Sequence, residues 1–339
     1  MKKILLLSTG GTIASIQTEH GLMPGHSADN LLSYVPNLNA LCEIEYKEII
    51  NLDSTNLQPE NWIQMAKTIA LEQNHYDGIV ITHGTDTMAY SASALSFMLQ
   101  NIKKPIILTG SQLSITEQTT DAIQNLYDAF CTAVSGIPGV YIVFSGRIIQ
   151  GVRARKLYTK EFDAFHSINS DDIGCIKNGK VILKKSISTP KNPFTLDLKL
   201  NTKVLTLRLL PGTEPELIDK IMELGYDGII LEAFGCGGVP NQGRNLLPCL
   251  KRANELGTTI VIASQCLYES VDLTVYDVNV QAAKLGVISS YDMTPETTAV
   301  KLMWVLGHTS HLDKIHQMMN TCYVGEFTED LQTTEHQLP

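Results

Sequence analysis

No run in the sequence approaches the roughly 18 consecutive apolar residues of a helical membrane span. Positive charge is also scarce: 26 Lys and Arg stand against 35 Asp and Glu, a formal net charge of −9. Nucleic-acid binding rests on cations meeting phosphates, and an anionic membrane surface makes the same demand. The expected partner is therefore a small molecule, with no nucleic acid and no membrane. Close cysteine pairs are missing as well. The seven cysteines, Cys42, Cys131, Cys175, Cys236, Cys249, Cys266 and Cys322, are odd in number and scattered. That pattern suits reduced thiols packed in the core of a cytoplasmic protein. A dinucleotide fingerprint fails because Thr12 and Ser15 occupy the later glycine positions, and no G-x-x-x-x-G-K-[ST] phosphate loop occurs. His308, His311 and His316 have no nearby Cys or carboxylate set to complete a zinc site. Neither metal nor cofactor is implied. Met1–Leu7 begins like a signal peptide, but its apolar run stops at Ser8-Thr9-Gly10-Gly11, short of the roughly 7–15 residues such a core requires. It reads as a buried first strand, and a cytoplasmic location follows as the expectation.

What is present is an alternation. At 339 residues the chain exceeds the usual size of one core, so two domains are expected. Short apolar runs at Ile4–Leu7, Gly78–Thr82, Pro105–Thr109 and Val140–Phe144 end in or just before Gly, Ser or Thr. Between them lie helical patterns such as Pro59–Glu72, with a proline start and apolar residues at helical spacing. Continuous apolar strands with helical crossovers indicate a parallel sheet covered on both faces, an α/β fold. From Lys177 to Thr202 the pattern dissolves into charges and prolines. We therefore expect a catalytic domain over 1–183, a linker over 184–202 and a smaller α/β domain over 203–328. In the second domain, strands are expected at Val204–Leu210, Gly228–Glu232 and Thr259–Ala263, with a helix from about Pro215. Past Gly325 the chain is polar and reads as a frayed tail, with 329–339 outside either domain.

Four segments carry side chains suited to chemistry. Ser8-Thr9-Gly10-Gly11-Thr12-Ile13-Ala14 follows the first strand, and ligands of open parallel sheets bind at strand carboxyl ends. Its glycines permit close backbone approach and Thr12 presents a hydroxyl, although a plain tight turn explains Gly-Gly-Thr equally. Thr82-His83-Gly84-Thr85-Asp86-Thr87-Met88 offers a second hydroxyl beside a carboxylate, and Asn51-Leu52-Asp53-Ser54-Thr55-Asn56 is similarly polar. An aspartate before a helix is ordinarily a cap, the plain reading of both Asp86 and Asp53. Gly151-Val152-Arg153-Ala154-Arg155-Lys156 sets a lysine among arginines, which ordinarily means a solvated basic patch.

Taken together, these segments resemble the bacterial L-asparaginase family, in particular its cytoplasmic type I branch. The matching stretches are Thr9–Ala14, Asp53-Ser54-Thr55, His83–Met88, Leu108-Thr109-Gly110-Ser111-Gln112, Arg153–Lys156 and Asp292-Met293-Thr294, spread over nearly the whole chain in the family's order. The resemblance implies a larger N-terminal α/β domain bearing the active site, with an uncommon left-handed crossover, and a smaller flavodoxin-like C-terminal domain. It further implies Thr12 as the nucleophile that forms an acyl-enzyme, with Thr85, Asp86 and Lys156 as the neighbouring catalytic set. Asp86 would pair with the substrate ammonium, Ser54 would bind the α-carboxylate, and Asp53, Thr55 and Thr85 would complete the substrate site. Homodimers or homotetramers, with each site near a subunit boundary, are implied too. The chemistry agrees: amide hydrolysis through an acyl-enzyme needs a hydroxyl, a base and oxyanion donors, all of which these segments supply without metal ligands.

The sequence departs from the family pattern in three places. Leu22 stands where the mobile lid commonly carries a tyrosine, and the lid's Glu19 and His20 need not meet Thr12. That leaves Lys156, with Thr85 as relay, as the expected base, or else the dimer partner or a distant tyrosine such as Tyr291. Gly238 stands where many relatives have an asparagine reaching toward the site. Gln265-Cys266 resembles part of a regulatory asparagine site, yet Glu232 stands where an arginine would hold the effector's carboxylate. The expected activity is L-asparaginase. A broader glutaminase-asparaginase differs by one substrate methylene, worth only about 1–3 kcal/mol of discrimination. An inactive amino-acid sensor on the same scaffold would be expected to lose Thr12, Thr85 or Lys156, and all are present. A tRNA-dependent amidotransferase subunit shares the motifs but adds an N-terminal domain, for which a chain starting on its first strand leaves no expected room.

Overall fold

The computed structural model describes residues 1–18, 21–24 and 28–331, and its chain divides into two compact units, Met1–Leu198 and Lys199–Pro339. Lid positions Glu19 and His20 lie outside the described residues, as does 332–339. The expected linker stretch contributes a short strand, Thr195–Leu196, which pairs antiparallel with Leu99–Gln100 of the first unit.

The first unit is built on eight strands: β1 (Lys3–Gly10), β2 (Glu43–Leu52), β3 (Gly78–Thr82), β4 (Pro105–Thr109), β5 (Gly139–Phe144), β6 (Arg147–Gln150), β7 (Gly174–Lys177) and β8 (Lys180–Leu183). Their order across the sheet is β8-β7-β6-β5-β4-β3-β1-β2. The five strands β1 to β5 are mutually parallel, and β6, β7 and β8 each pair antiparallel with the strand before. Strands β3 and β4 are buried at every position, as continuous apolar runs demand when both faces are covered. On one face Ile4, Leu6, Val80 and Ile107 join Leu126, Ala129 and Phe130 of the helix Ala122–Ser135 in a single core. On the other, the helix Met88–Met98 is buried almost all round, which explains its lack of a polar face.

The order has one functional consequence. From β1 the chain crosses to β2 on one side, then passes back over β1 to β3 on the other. Loops at the carboxyl ends of β1 and β3 therefore leave in opposite directions, which makes this the switch point at which doubly wound sheets bind ligands. The second unit has four parallel strands, β9 (Val204–Arg208), β10 (Gly228–Ala233), β11 (Thr259–Ser264) and β12 (Ile288–Ser289), in sequential order and so without such a reversal among the described residues. Its core gathers Ile229, Leu231, Ile260 and Ile262 with Ile218, Leu250 and Ala253 of the covering helices Glu216–Glu223 and Leu247–Leu256.

The expectation of fraying past Gly325 fails for the residues that follow directly. Glu326 and Phe327 are buried, and Thr328 donates its N–H and hydroxyl to Asp292 at 2.9 and 2.7 Å. Glu326 pairs with Lys301 at 2.7 Å, both side chains fully enclosed, while Phe327 stacks on Tyr291. Polarity misled because these polar groups bond one another, which composition does not reveal.

Candidate active site

Glycines bring the switch-point loops together. Gly10 and Gly11 have φ of +95° and +85°, and Gly11 donates its N–H to the Leu52 carbonyl at 3.1 Å. A Cβ on Gly11 would stand 2.5 Å from Gly84 Cα, and one on Gly84 would stand 2.6 Å from Ser54 Oγ. A Cβ on Gly10 would stand 2.6 Å from Leu52 O. The ends of β1, β2 and β3 thus pack backbone against backbone, a proximity no other residue permits. Thr12 opens a single 3-10 turn directly after this contact.

His83 secures the β3 loop. Burial depresses its pKa to about 4, against the opposing pull of the Gly84 carbonyl. The Gly84 carbonyl, 2.6 Å from Nδ1, can only accept, so Nδ1 carries the proton. Nε2 of the neutral ring then accepts from Ser91 Oγ at 2.8 Å. With both nitrogens engaged, His83 is a brace for Thr85. Between the β3 and β2 loops, Thr87 Oγ1 donates to the Ser54 carbonyl at 2.7 Å, and Ser54 is itself buried.

The two aspartates before helical turns diverge. Asp53 accepts from Thr55 N–H at 2.8 Å and Thr55 Oγ1 at 2.7 Å, so its carboxylate does cap the turn Ser54–Asn56. Asp86 caps nothing, because the helix starts at Met88 behind Thr87 with no side-chain cap. Its Oδ1 instead accepts from Lys156 Nζ at 2.7 Å, and the same nitrogen donates to Thr85 Oγ1 at 2.7 Å. Lys156 ends the short strand Ala154–Lys156, whose approach turn is pressed against the helix Met88–Met98 at Gly151. The basic stretch is no solvated patch: Arg153 is buried and the Lys156 side chain is only 17% exposed.

Two residues that the sequence analysis did not name, Asp121 and Asn125, and a third named there only within a matching stretch, Gln112, complete the frame. Asp121 accepts from the backbone N–H groups of Gln112 and Leu113 at 3.0–3.1 Å, and from Asn125 Nδ2 at 3.1 Å. Asn125 in turn donates to the Gly110 carbonyl at 3.0 Å and accepts from Ser145 N–H at 2.9 Å. This fixes the loop after β4 and the β5–β6 turn. Gln112 projects from that loop to Thr85, its Oε1 3.4 Å from Oγ1. A carboxylate and a carboxamide four residues apart at a helix start were the available signal.

The other sequence candidates have neighbours of their own. Leu22 falls in the short strand Gly21–Pro24, paired with Gln17. Tyr291, in the second unit, is buried against Phe327. Gln265 Nε2 donates to the carbonyls of Leu209 and Glu232 at 2.6 and 2.9 Å, Cys266 is exposed, and Glu232 is 3.4 Å from Arg208. His308 and His316 each face a backbone carbonyl, of Trp304 and Gly286.

Residues 3–189 match the family described as Asparaginase, N-terminal, and residues 203–319 match the Glutaminase/Asparaginase C-terminal domain. The chain belongs to the asparaginase/glutaminase family. It is accordingly a hydrolase acting on amides. An L-asparaginase from Thermococcus kodakarensis is 43% identical over 328 residues, 96% of this chain and 99% of the relative. The solved structure of the thermostable L-asparaginase from that organism superposes with a TM-score of 0.92 at 42% identity, covering 96% of this chain and 99% of the other. L-asparaginase I from Vibrio cholerae gives 0.88 at 32% identity, with the same coverages. A glutamyl-tRNA(Gln) amidotransferase component from Pyrococcus furiosus is 40% identical over 338 residues, 96% of this chain and 76% of the relative. Since an archaeal enzyme exceeds the bacterial enzyme I in identity, membership is established for the family and not for the bacterial type I branch. No helix among the described residues is long and apolar enough to cross a membrane.

Proposed function

We propose that the chain is an L-asparaginase that hydrolyses L-asparagine to L-aspartate and ammonia through a threonine acyl-enzyme. The observation that carries this reading is Lys156 Nζ, 2.7 Å from both Thr85 Oγ1 and Asp86 Oδ1 on the loop that touches Gly11 beside Thr12. Thr12 Oγ attacks the side-chain amide carbon, its proton passes toward Thr85 and Lys156, and the amide C–N bond breaks. Ammonia leaves with a proton, and water then cleaves the ester to release aspartate and restore the threonine. A lysine accepts a proton only when neutral, so the deprotonated amine is the working form. With Leu22 in the lid, Lys156 carries more of this transfer than in relatives with a tyrosine there. Asp86 offers the charge that a substrate ammonium needs, and Ser54 lies at the same edge to bind the α-carboxylate, with Asp53 and Thr55 shaping that turn. The active form is a homo-oligomer without cofactor, and a fully active monomer in sedimentation would reject the oligomer.

The decisive experiment measures ammonia release from asparagine and glutamine side by side over a concentration range. Asparagine should lead in kcat/KM; equal values would favour the broader glutaminase-asparaginase. A second reading, a component of a tRNA-dependent amidotransferase, is favoured by relatives of that name at 36–40% identity over 96–97% of this chain. Turnover of free asparagine by the isolated chain would support the first reading, and activity confined to a complex would support the second.

A further inference from the structure

Gln112 lies in a motif to which the proposed reaction gives no role, yet it touches the catalytic set. Lys156 Nζ donates to Thr85 Oγ1 at 2.7 Å. A charged ammonium has donors only, whereas a hydroxyl has one proton and two lone pairs. With Lys156 charged, the Thr85 proton must point elsewhere, and the acceptor in reach is Gln112 Oε1 at 3.4 Å.

The identity of the atom facing Thr85 follows from the far end of the carboxamide. Nε2 donates to the Glu161 carbonyl at 3.0 Å and lies 3.4 Å from the Tyr158 carbonyl. A flipped amide would set its oxygen against two acceptors, so the network assigns oxygen to the Thr85 side. Asp121 holds the Gln112 N–H at 3.0 Å, which anchors the side chain at its root. Gln112 therefore spans two arms of the site, the Thr85 loop and the segment that follows Lys156.

The geometry points to Gln112 as a positioning residue for the Thr85 hydroxyl. It gives that hydroxyl a resting acceptor while Lys156 is charged, and its Nε2 contacts with residues 158–161 hold the carboxamide oxygen where Thr85 can use it. The two lengths fit a switch. The 2.7 Å contact to Lys156 is strong, whereas 3.4 Å is long for a hydroxyl donor and holds the proton weakly. When Lys156 is neutral, Thr85 can turn its proton from Gln112 Oε1 to Nζ while accepting another, which is the motion a relay requires. The proton moves between existing acceptors, and no further reactant enters.

This inference rests on the reading of Thr85 and Lys156 as reacting groups, so the test carries controls for that reading. Gln112→Met keeps the length of the side chain but removes its acceptor and donors. Its kcat for ammonia release from asparagine should fall about tenfold, the effect of a typical hydrogen bond, with KM within about twofold. In a Thr85→Ala background, where no hydroxyl remains to orient, the same change should lower residual turnover by less than about twofold. Should Gln112→Met fail to fold by circular dichroism, Gln112→Asn, one methylene short of Thr85, serves in the same cycle. A wild type without turnover on either amide would sink the functional reading and this inference together. A wild type that turns over, is stopped by Lys156→Met and is indifferent to Gln112→Met would sink the inference alone. An equal loss with and without the Thr85 hydroxyl would show a merely structural role and overturn it too.

Discussion

Replacing Gly11 by alanine tests the claim that backbone contact at the switch point sets the catalytic geometry. Two costs are readable. Gly11 has φ of +85° and ψ of 177°, a conformation nearly confined to glycine and worth about 1–3 kcal/mol of strain for another residue. The new Cβ would stand 2.5 Å from Gly84 Cα and 2.9 Å from the His83 carbonyl carbon, where ordinary contact begins at 3.4 Å. Both neighbours are backbone and cannot rotate away. Gly84 cannot retreat either, because its own α-carbon rests on Ser54. The Thr12 and Thr85 loops must therefore part by about 1 Å, a misplacement that typically costs about 10²-fold in rate. We expect kcat to fall about a hundredfold. At about 2–4 °C per kcal/mol for a unit of this size, Tm should drop by about 2–12 °C. Gly146→Ala is the control: φ is +73°, but the nearest atom to its Cβ is 3.5 Å away. It should cost about 1 kcal/mol and leave kcat unchanged. Ammonia release at saturating asparagine and thermal unfolding, run on both variants, separate strain from collision. A folded Gly11→Ala enzyme within threefold of wild-type kcat would refute the reasoning.

Further outcomes follow from the same structure. Thr12→Ala should lower kcat by several orders of magnitude while calorimetry still detects aspartate binding; a tenth of wild-type turnover would move the nucleophile to Thr85. Asp86→Asn should raise KM strongly for asparagine and much less for an analogue lacking the α-amino group, and equal losses would reject the ammonium contact. Lys301→Met strands the enclosed Glu326 carboxylate and should destabilise the second unit by about 3–5 kcal/mol. Adding Glu326→Gln should recover part of that loss in urea unfolding, and an unchanged midpoint in the single variant would contradict the pairing.

The parallel core was legible because burial on both faces forces apolar runs: Gly78–Thr82 and Pro105–Thr109 read as strands with the bounds observed, as Pro59–Glu72 did as a helix. Strands β6 to β8 gave little signal, since these four-residue strands are only partly buried and mix charged with apolar residues. Asp53 and Asp86 show the limit at the site. Each comes just before a helical element and beside a hydroxyl, yet Asp53 caps its turn while Asp86, one residue short of the cap position, pairs with Lys156. Local pattern has no access to a partner 70 residues away. The role of Gly11 was half legible: the sequence announces a close approach, but that the approaching atom belongs to Gly84 is a property of strand order alone.

That strand order also bears on biosynthesis. The first strand made, β1, ends in the interior of the sheet, with β2 and β3 on its two edges. At roughly 5–20 residues per second, about 4–16 s separate its synthesis from that of residue 82, which closes the second edge. Throughout that interval Ile4–Leu7 offers unpaired backbone and apolar surface that end fully enclosed in the finished fold. Lys156 is translated later still, so no shorter nascent chain holds the lysine paired with Thr85 and Asp86. The apolar face of Ile4 and Leu6 waits past residue 82 for the helix Ala122–Ser135, so cellular yield should depend on how β1 is sheltered during translation.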